Sequence, residues 1–271
     1  MTMDELAKIN KERWEALVAA DVAYARPFLD MNAAKARAWL AAQGVAPAGA
    51  LDDLVGKDVL CLASGGGQQS VAFALLGARV TVFDLAENQL ARDVAAAAHL
   101  GVAVTAVQGD MRDLSRFADD SFDLVWQPYS LNFVDDARAV LAGVARLLRP
   151  GGFYRLQFAN PFVVELDETL WDGRGYPLKL PYVDGAELAV ENPDWVVRQA
   201  DGTERVMTGP REFRHTLSAV VNTLIAQGFV LLGLWEDSED TAPDPQAEPG
   251  TWAHFVAVAP PYLRLWAVLN K

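Results

Sequence analysis

Cysteine is almost absent from this chain, which has a single cysteine, Cys61, among its 271 residues. One cysteine cannot form an internal disulfide, so a small disulfide-stabilised fold is excluded and a reducing, cytoplasmic compartment is expected. Because Cys61 lies inside an apolar run, we interpret it as a small buried hydrophobic side chain rather than a reactive thiol.

Long apolar runs and a targeting signal are also lacking. No run approaches the roughly 20 residues that cross a bilayer. Residues 1–5, Met-Thr-Met-Asp-Glu, do not show the basic and then apolar pattern of a secretory signal peptide. The chain is long enough to bury a large core, and one domain with a substrate-binding addition is the expected organisation.

Positive charge is in short supply, since 23 Lys and Arg residues face 36 Asp and Glu residues and the formal net charge is −13. Nucleic-acid binding requires a basic face, and no basic cluster is present, so nucleic acid is not expected as a partner. An acidic protein can accept a cationic cofactor and neutral or cationic small molecules, although acidity also serves solubility alone. His, Cys and carboxylate residues show no metal-ligand spacing, so no metal is expected.

What the chain does contain is a glycine-rich turn between two predicted strands. The apolar run 59–62 is typical of a parallel strand that helices cover on both faces. Glycines 65–67 allow a sharp turn and close approach of the backbone to a ligand, and the helix predicted over 68–76 directs its N-terminal N–H groups there. A second run, 79–83, ends at Asp84, about twenty residues after the turn, where a carboxylate can bind a ribose diol. The pattern predicts a site for a nucleoside-bearing cofactor.

The residues after the glycines bear on which cofactor binds. Dinucleotide folds favour a further glycine three residues after the second glycine of the motif, and this chain has Ser70 there, which weakens the prediction of NAD or FAD. Three more predicted strands follow at suitable distances. They are 102–108 before Gly109-Asp110-Met111, 122–126 before Gln127-Pro128-Tyr129, and 153–158 after the turn Leu-Leu-Arg-Pro-Gly-Gly at 147–152.

These motifs, in this order, resemble those of the class I S-adenosylmethionine-dependent methyltransferases, over residues 59–260. The resemblance implies an α/β fold, with a doubly wound, Rossmann-like, seven-stranded sheet, an antiparallel C-terminal strand and helices on both faces. It also implies S-adenosyl-L-methionine as cofactor, with the glycine loop beneath its methionine part, Asp84 on the ribose, and Asp110 and Met111 beside the adenine. The implied cofactor-binding residues are Ala63, Ser64, Gly65, Gly67, Gln69, Asp84, Leu85, Gly109, Asp110, Met111, Gln127 and Tyr129.

Two positions depart from the family pattern. Cys61 replaces the acidic residue that is usual within the first strand, and Ala63 replaces the first glycine of the usual Gly-x-Gly-x-Gly. In the family, that acidic residue often helps to hold the methionine amino group or orders the glycine loop. We therefore expect this contact to come from another part of the chain or to be lost.

No fixed catalytic signature is present, and the implied chemistry does not demand one. Methyl transfer from a sulfonium is an in-line displacement that alignment in a desolvated pocket can accelerate, and a base is needed only if the acceptor arrives protonated. The candidate catalytic residues are Tyr129 and Asn132, in the loop that borders the methyl group in the family, and His215. Asn160, after the fifth strand, is a further polar candidate. The alternatives are turn capping for Tyr129 and Asn132 and helix-terminal packing for His215.

Periodicity indicates the remaining organisation. Helices are predicted over 4–20, 31–43, 87–99, 137–148 and 211–227, and late strands over 229–235 and 252–259. Residues 1–50 are predicted to form an N-terminal helical cap that ends in a linker. Residues 51–271 are predicted to form the cofactor-binding domain.

Residues 160–210 are predicted to be an inserted substrate cap, because fifty residues are too many for a plain connection. Within them, 195–207 is typical of a β-hairpin with a turn at Asp201-Gly202. The aromatic residues of the insertion either contact an apolar acceptor or form the core of the cap itself. They are Phe162, Trp171, Tyr176, Tyr182 and Trp195.

The sequence therefore predicts a methyltransferase that uses S-adenosylmethionine to methylate an O or N atom of a small molecule. The acceptor and the oligomeric state stay open. One alternative is a non-catalytic protein that binds S-adenosylmethionine or its demethylated product in the same pocket. Another is an NAD-type oxidoreductase, which would need a hydride-transfer partner such as a Tyr-x-x-x-Lys pair, and this spacing does not occur.

Overall fold

The computed structural model describes residues 3–43, 46–188, 194–198, 202–238 and 241–271, and its central element is a seven-stranded sheet. The helices are α1 (Glu5–Ala19), α2 (Ala33–Ala42), α3 (Gln69–Leu75), α4 (Glu87–His99), α5 (Ala137–Leu147), α6 (Leu217–Ala226) and α7 (Trp252–Val258). The strands are β1 (Asp58–Leu62), β2 (Arg79–Asp84), β3 (Val104–Gln108), β4 (Phe122–Gln127), β5 (Leu148–Ala159), β6 (Asp194–Arg198), β7 (Glu204–Thr208), β8 (Phe229–Asp237) and β9 (Tyr262–Leu269).

The order of strands across the sheet is β3-β2-β1-β4-β5-β9-β8. Strands β1 to β5 are parallel, and β9 runs antiparallel to both of its neighbours, β5 and β8. Successive strands are added towards one edge of the sheet from β1 to β3 and towards the other edge from β4 onwards. The order therefore reverses between β1 and β4, and ligands of open α/β sheets bind outside the carboxyl ends of the strands at such a point. The predicted fold class, a Rossmann-like seven-stranded sheet with an antiparallel late strand, is confirmed. Within the described ranges, no helix combines the length and apolar character that crossing a bilayer requires.

Side-chain alternation along the strands divides the core into two layers. In β1, Leu60 and Leu62 pack on the side of α5 and α6, whereas Val59 and Cys61 pack on the side of α2 and α3. Cys61 is completely buried, in line with its interpretation as a small hydrophobic side chain. Burial, with the negative charge of Asp93 as a smaller cause, raises the pKa of its thiol well above the usual value.

The strand predicted over 252–259 is wrong, because these residues form helix α7. The side chain of Thr251 caps the helix by accepting a hydrogen bond from the backbone N–H of His254. Phe255 and Val256 are buried at helical rather than alternating spacing. Prolines 260–261 then prevent the helix from continuing, and the antiparallel strand begins directly after them as β9.

The helix predicted over 211–227 begins later, at the start of α6. Thr216 is its N-cap, and the Thr216 Oγ1 atom accepts a hydrogen bond from the N–H of Ala219. The preceding segment is not helical, since Phe213 forms an antiparallel bridge with Glu187. Glu212 therefore lies in a non-helical segment rather than in the predicted helix, and this segment passes beside a large cavity.

The hairpin predicted within the insertion is confirmed, because β6 and β7 pair antiparallel from Asp194–Thr208 to Arg198–Glu204. Gly202 has a positive φ of 84°, whereas Asp201 of the predicted turn lies outside the described residues. Met207 of β7 packs against the buried cluster that α1 supplies. The hairpin and the N-terminal helix are therefore in contact.

The described aromatic residues of the insertion pack mainly among themselves and with α7. The rings of Phe162 and Tyr182 stack with centroids 4.7 Å apart. Trp171 lies 5.2 Å from Tyr176 and 5.0 Å from His254, centroid to centroid. None of these four insertion residues lines the large cavity. Trp171 and Tyr176 are half-buried beside α7, whereas the stacked rings of Phe162 and Tyr182 are 51% and 42% exposed. They are therefore not placed to contact an acceptor in that cavity.

Candidate active site

A cavity of about 850 Å³ lies at the carboxyl ends of β1, β2 and β4, beneath α1, α2 and the start of the insertion. Its volume is within the range typical of small-molecule sites. Most of the implied cofactor-binding residues line it, namely Ala63, Ser64, Gly65, Gln69, Asp84, Leu85, Gly109, Asp110, Met111 and Tyr129. Gly67 and Gln127 do not. Both are buried behind the cavity wall, where Gln127 accepts a hydrogen bond from the hydroxyl of Tyr154 at 2.6 Å.

The glycine loop has a backbone that side chains would obstruct. A Cβ atom on Gly65 would lie 2.5 Å from the Cβ of Gln89, and one on Gly67 would lie 2.8 Å from the Cβ of Pro27. Ala63 adopts a φ of 47°, in the left-handed region, at the position where the family usually has glycine. This conformation costs an alanine about 1 kcal/mol. The residues packed against the loop, including Pro27 and Gln89, therefore maintain its backbone conformation.

Asp84, at the end of β2, connects the glycine loop to the cavity. Its Oδ2 accepts a hydrogen bond from the N–H of Gly65 at 2.9 Å, and its Oδ1 accepts one from the N–H of Ala86 at 2.9 Å. Burial raises the pKa of this carboxyl above its usual value, although the two backbone hydrogen bonds oppose that effect. The carboxylate lines the cavity at the position from which it would accept hydrogen bonds from ribose hydroxyls.

Asp93, in α4, belongs to the site although none of the sequence motifs includes it. Its carboxylate accepts hydrogen bonds from the N–H of Gly66 at 2.8 Å and of Gly67 at 3.0 Å, and from the hydroxyl of Ser70. The side chain is fully buried, and burial raises its pKa to about 7. Asp93 thus orders the glycine loop. In the family, the acidic residue of the first strand often makes this contact, and this chain has Cys61 at that position.

The helical pattern of α4 carries a sequence signal for Asp93. Leu90, Asp93, Ala96 and Ala97 share one face of α4 and are all buried. A carboxylate on the buried face of an amphipathic helix requires hydrogen-bond donors nearby. The nearest donors in an α/β fold of this kind are the N–H groups of the loop that follows β1.

Two residues beside the glycine loop carry a buried polar atom that bonds no described residue. Ser64 Oγ and Gln89 Oε1 are buried, and neither has a hydrogen-bond partner among the described residues. Both residues line the cavity, and an unsatisfied buried polar atom costs about 1–3 kcal/mol. A ligand with polar groups beside the glycine loop would satisfy them. The residues present therefore fit an adenosyl cofactor, with Asp84 for its ribose and the glycine loop, Ser64 and Gln89 for its amino-acid part.

Of the candidate catalytic residues, only Tyr129 lines the cavity. Asn132 is buried and holds the backbone, because its Nδ2 donates to the carbonyl of Phe213 and its Oδ1 accepts from the N–H of Ala159, both at 2.9 Å. His215 bonds the carbonyl oxygen of Val134 at 2.9 Å and is separated from the large cavity. Burial lowers the pKa of its imidazole.

Asn160 also supports the backbone, since its Nδ2 donates to the carbonyl of Pro260 at 2.9 Å. A different acidic residue, Glu212, lines the cavity instead and accepts a hydrogen bond from the hydroxyl of Tyr129 at 2.6 Å. A sequence signal for this position exists, because threonine is a favoured N-cap residue. A helix that begins after Thr216 leaves Glu212 outside it. Among the residues with described positions, no group of three or more His, Cys, Asp and Glu side chains is arranged to hold a metal ion.

The N-terminal segment is fastened to the glycine loop. The N–H of Phe28 donates to the carbonyl of Gly67 at 2.9 Å, and the amide of Gln68 donates to the carbonyls of Tyr24 at 3.0 Å and Arg26 at 2.8 Å. From α4, Arg92 donates to two further carbonyls of the same segment, at 2.6 and 2.7 Å. These contacts place α1 and the segment after it over the cofactor side of the cavity.

Arg112 fastens the start of α1 to the loop after β3. Its guanidinium donates to the carboxylates of Asp4 at 2.9 Å, Asp110 at 2.6 Å and Asp135 at 2.9 Å. Because Asp4 is the N-cap of α1, this cluster joins the cap to the implied adenine side of the site. The hydrogen bond from Arg112 is the largest cause that lowers the pKa of Asp4.

We expect Arg112→Ala to increase hydrogen exchange of the α1 amides by about 5-fold at neutral pH, the scale of a partly exposed ion pair. Asp4 has a lowered pKa in the folded protein, so its contribution is present at neutral pH and is lost as the pH falls through that pKa. The difference from the wild type should therefore shrink in acid. Arg138→Ala, which removes an exposed ion pair with Asp184, is the control. Equal exchange rates in both variants would contradict this role.

Comparisons with known proteins agree with this geometry. A family model described as "Methyltransferase domain" matches residues 60–156. The uncharacterized methyltransferase YbaJ of Bacillus subtilis is 35% identical over 184 residues, which cover 67% of this chain and 69% of that protein. The cypemycin N-terminal methyltransferase of a Streptomyces species is 37% identical over 131 residues, 46% of this chain and 51% of that protein. The chain thus spans about half the length of this second relative.

A solved structure shares the fold. An S-adenosylmethionine-dependent methyltransferase from Mesorhizobium loti superposes with a TM-score of 0.55 at 20% identity, over 89% of this chain and all of that one. One family assignment follows from the sheet order, the glycine loop, Asp84 and the length of the YbaJ match. The chain belongs to the class I S-adenosylmethionine-dependent methyltransferases, with S-adenosyl-L-methionine as its cofactor.

Proposed function

We propose that this methyltransferase transfers the methyl group to an oxygen or nitrogen atom of a small molecule. The observation that carries the proposal is the cavity itself. It continues past the cofactor residues to a region between α1, Glu212 and residues 163–166, and its volume of about 850 Å³ suits a cofactor with a small acceptor. When bound, S-adenosylmethionine supplies an activated methyl group on a sulfonium.

The protein's own contribution to the reaction is alignment and exclusion of water. Trp14 from α1, Val163 and Leu166 from the insertion, and Tyr262 at the start of β9 line the cavity beyond the cofactor residues. We propose that residues 1–50 and 160–210 act together as the substrate cap of a catalytic domain at 51–271. Such a cap keeps donor and acceptor close and desolvated, which is the main requirement of an in-line displacement.

Charge supports a small molecule over nucleic acid, since a net charge of −13 opposes a polyanion. The relatives do not decide the acceptor. YbaJ is uncharacterized, and the cypemycin methyltransferase is named for methylation at the N-terminus of cypemycin and matches 46% of this chain. Fold resemblance determines the chemistry better than the acceptor.

The test is calorimetry followed by transfer of a labelled methyl group. S-adenosylmethionine and S-adenosylhomocysteine should bind, whereas NAD should not. With S-adenosylmethionine labelled in the methyl group, label should appear in members of a panel of phenols and amines and be absent from RNA, DNA and unstructured peptides. Label found only in the macromolecules would contradict the small-molecule proposal. Tight binding of both adenosyl compounds without transfer to any acceptor would instead favour a non-catalytic binding protein.

A further inference from the structure

Glu212 and Tyr129 form a hydrogen-bonded pair in the cavity. Tyr129 follows β4, at the point where the sheet order reverses, and Glu212 lies in the extended segment before α6. The hydroxyl of Tyr129 donates to Oε2 of Glu212 at 2.6 Å, and both residues line the cavity. Oε1 of Glu212 has no hydrogen-bond partner among the described residues, so it can accept a proton.

The backbone on both sides of Glu212 is held firmly. The N–H of Arg211 donates to Oδ1 of Asn10, in α1, at 2.7 Å, and the N–H of Phe213 donates to the carbonyl of Asn132 at 2.7 Å. The carbonyl of Glu212 itself accepts from the N–H of Leu188 at 2.8 Å. The carboxyl group is therefore carried by a fixed segment, which a reacting group requires.

No cation in the described part of the chain neutralises Glu212. Within the described part of the chain, no Lys, Arg or His nitrogen lies within ion-pair distance of it, and the adjacent Arg211 pairs with Glu187 at 2.6 Å instead. Tyr129 is the titratable side chain that contacts it. The other charged residues of the cavity lining are Asp84, Asp110, Arg112, Arg155 and Arg264. Burial raises the pKa of Glu212 to about 7, and the hydrogen bond from Tyr129 opposes this rise.

The acceptor side of the cavity also carries a continuous aromatic wall, formed by Trp14, Phe133, Tyr129 and Tyr262. Successive ring centroids along it lie 5.3, 5.5 and 5.2 Å apart. All four residues line the cavity. A planar aromatic acceptor would gain both apolar burial and ring contacts there.

We infer that Glu212 is the general base of the methyl transfer, held in place by Tyr129, and that the acceptor is a phenolic hydroxyl group. This inference rests on the proposed function, a small acceptor with a reactive oxygen or nitrogen. The acceptor oxygen forms its bond with the methyl carbon as the sulfur–methyl bond breaks and its electron pair stays on sulfur. The phenolic proton moves to Oε1 of Glu212. A sulfonium and a carboxylate are thereby converted into a neutral thioether and a neutral carboxylic acid.

Acidity separates a phenol from an aliphatic alcohol. A phenol has a pKa of about 10, within roughly three units of Glu212, whereas an alcohol resembles water, near 16. Proton transfer from an alcohol would thus be far more unfavourable. An ammonium acceptor is disfavoured for another reason, because an ion pair with Glu212 would stabilise the proton on nitrogen and keep its lone pair occupied.

The test compares two phenols of equal substitution that differ in acidity, 4-nitrophenol and 4-methylphenol, with the wild type, Glu212→Gln and Tyr129→Phe. Glu187→Gln is the control, because it removes a carboxylate that pairs outward with Arg211 and does not line the cavity. We expect Glu212→Gln to slow methylation of 4-methylphenol by about 100-fold or more. At mildly alkaline pH, where 4-nitrophenol is ionised and needs no base, the loss should be much smaller. S-adenosylhomocysteine binding should be retained.

The pH profile supplies a readout that a structural role would not change. With saturating S-adenosylmethionine, which removes the effect of pH on cofactor binding, the wild-type kcat/KM for 4-methylphenol should rise with pH through about 7, where Glu212 ionises, and then level off. The Glu212→Gln profile should keep rising towards the pKa of the phenol, about 10. In Tyr129→Phe the rise should move to higher pH, since the hydrogen bond that lowers the pKa of Glu212 is lost.

Three results would overturn the inference. One is an equal loss for both phenols in Glu212→Gln, and another is an unchanged pH profile. The third is methylation of amines but of neither phenol, which would leave the small-molecule proposal standing. Transfer to no small molecule of either class would instead remove the proposed function itself.

Discussion

Asp93→Ala should weaken S-adenosylmethionine binding by about 100-fold, although residue 93 is buried in α4 and does not line the cavity. The substitution leaves the N–H groups of Gly66 and Gly67 without their acceptor. Each unsatisfied buried N–H costs about 1–3 kcal/mol, so the loop should abandon the conformation that binds the cofactor. Calorimetric titration measures the effect, and circular dichroism verifies that the variant is folded.

The control for this prediction lies on the same helix. Glu87→Gln removes an exposed carboxylate from the first turn of α4, and binding should stay within about 2-fold of the wild type. Wild-type affinity in Asp93→Ala would contradict the role of Asp93. Since its pKa is about 7 in the folded protein, and the loop needs the ionised form as acceptor, affinity should decrease as the pH falls through that value. This part of the pH dependence should disappear in the variant.

Asp84→Ala should reduce cofactor affinity by at least about 100-fold. We expect two effects to combine. The carboxylate accepts the N–H of Gly65 and lines the cavity, and the family resemblance implies that it also binds the ribose hydroxyls. Hydrogen bonds to a charged group contribute about 1.5–3 kcal/mol each, and every 1.4 kcal/mol is a factor of ten in affinity. Titration with S-adenosylhomocysteine and with adenosine alone measures the loss.

Adenosine distinguishes the two aspartates. If Asp84 binds the ribose, Asp84→Ala should lose affinity for adenosine as well as for the whole cofactor. Asp93→Ala should affect adenosine less, because the glycine loop that it orders is implied to lie beneath the methionine part. Asp113→Ala, in the loop after β3, is the control, since its carboxylate serves only a local turn to Ser115. Equal loss of adenosine in both variants would contradict this division of roles.

The sheet could be predicted from the sequence where local pattern and tertiary role agree. Strand β2 was predicted from the run 79–84 and α4 from 87–99, and both are confirmed. Glycine with a positive φ marks a boundary of each, since Gly77 precedes β2 and Gly101 follows α4. The failures came where an apolar pattern suits two structures. Segment 252–259 is apolar enough for a strand, but the cap at Thr251 and prolines 260–261 make it a helix.

The candidate site could be predicted only as far as the family motifs extend. Residues after β1, β2 and β3 were placed together because parallel strands bring their carboxyl ends to one edge. Asp93 and Glu212 belong to no motif and reach the site from a helix and from an irregular segment. Asn132 and His215 were candidates in the sequence, yet both side chains bond the backbone. Asn132 bonds the carbonyl of Phe213 and the N–H of Ala159, and His215 bonds the carbonyl of Val134. Long-range contacts of this kind have no local signature.

The position of β9 has a consequence for how the chain folds. Strand β8 pairs with β9, and β9 separates it from β5, so β8 cannot join the sheet until the later strand has been synthesised. During translation, β5 and β8 would both present unpaired edges, which invite pairing with other chains. Contacts between segments distant in sequence also close slowly. The emergence of β9 from the ribosome is therefore the step that lets β5 and β8 pair with it and completes the seven-stranded sheet, whose edge strands are then β3 and β8.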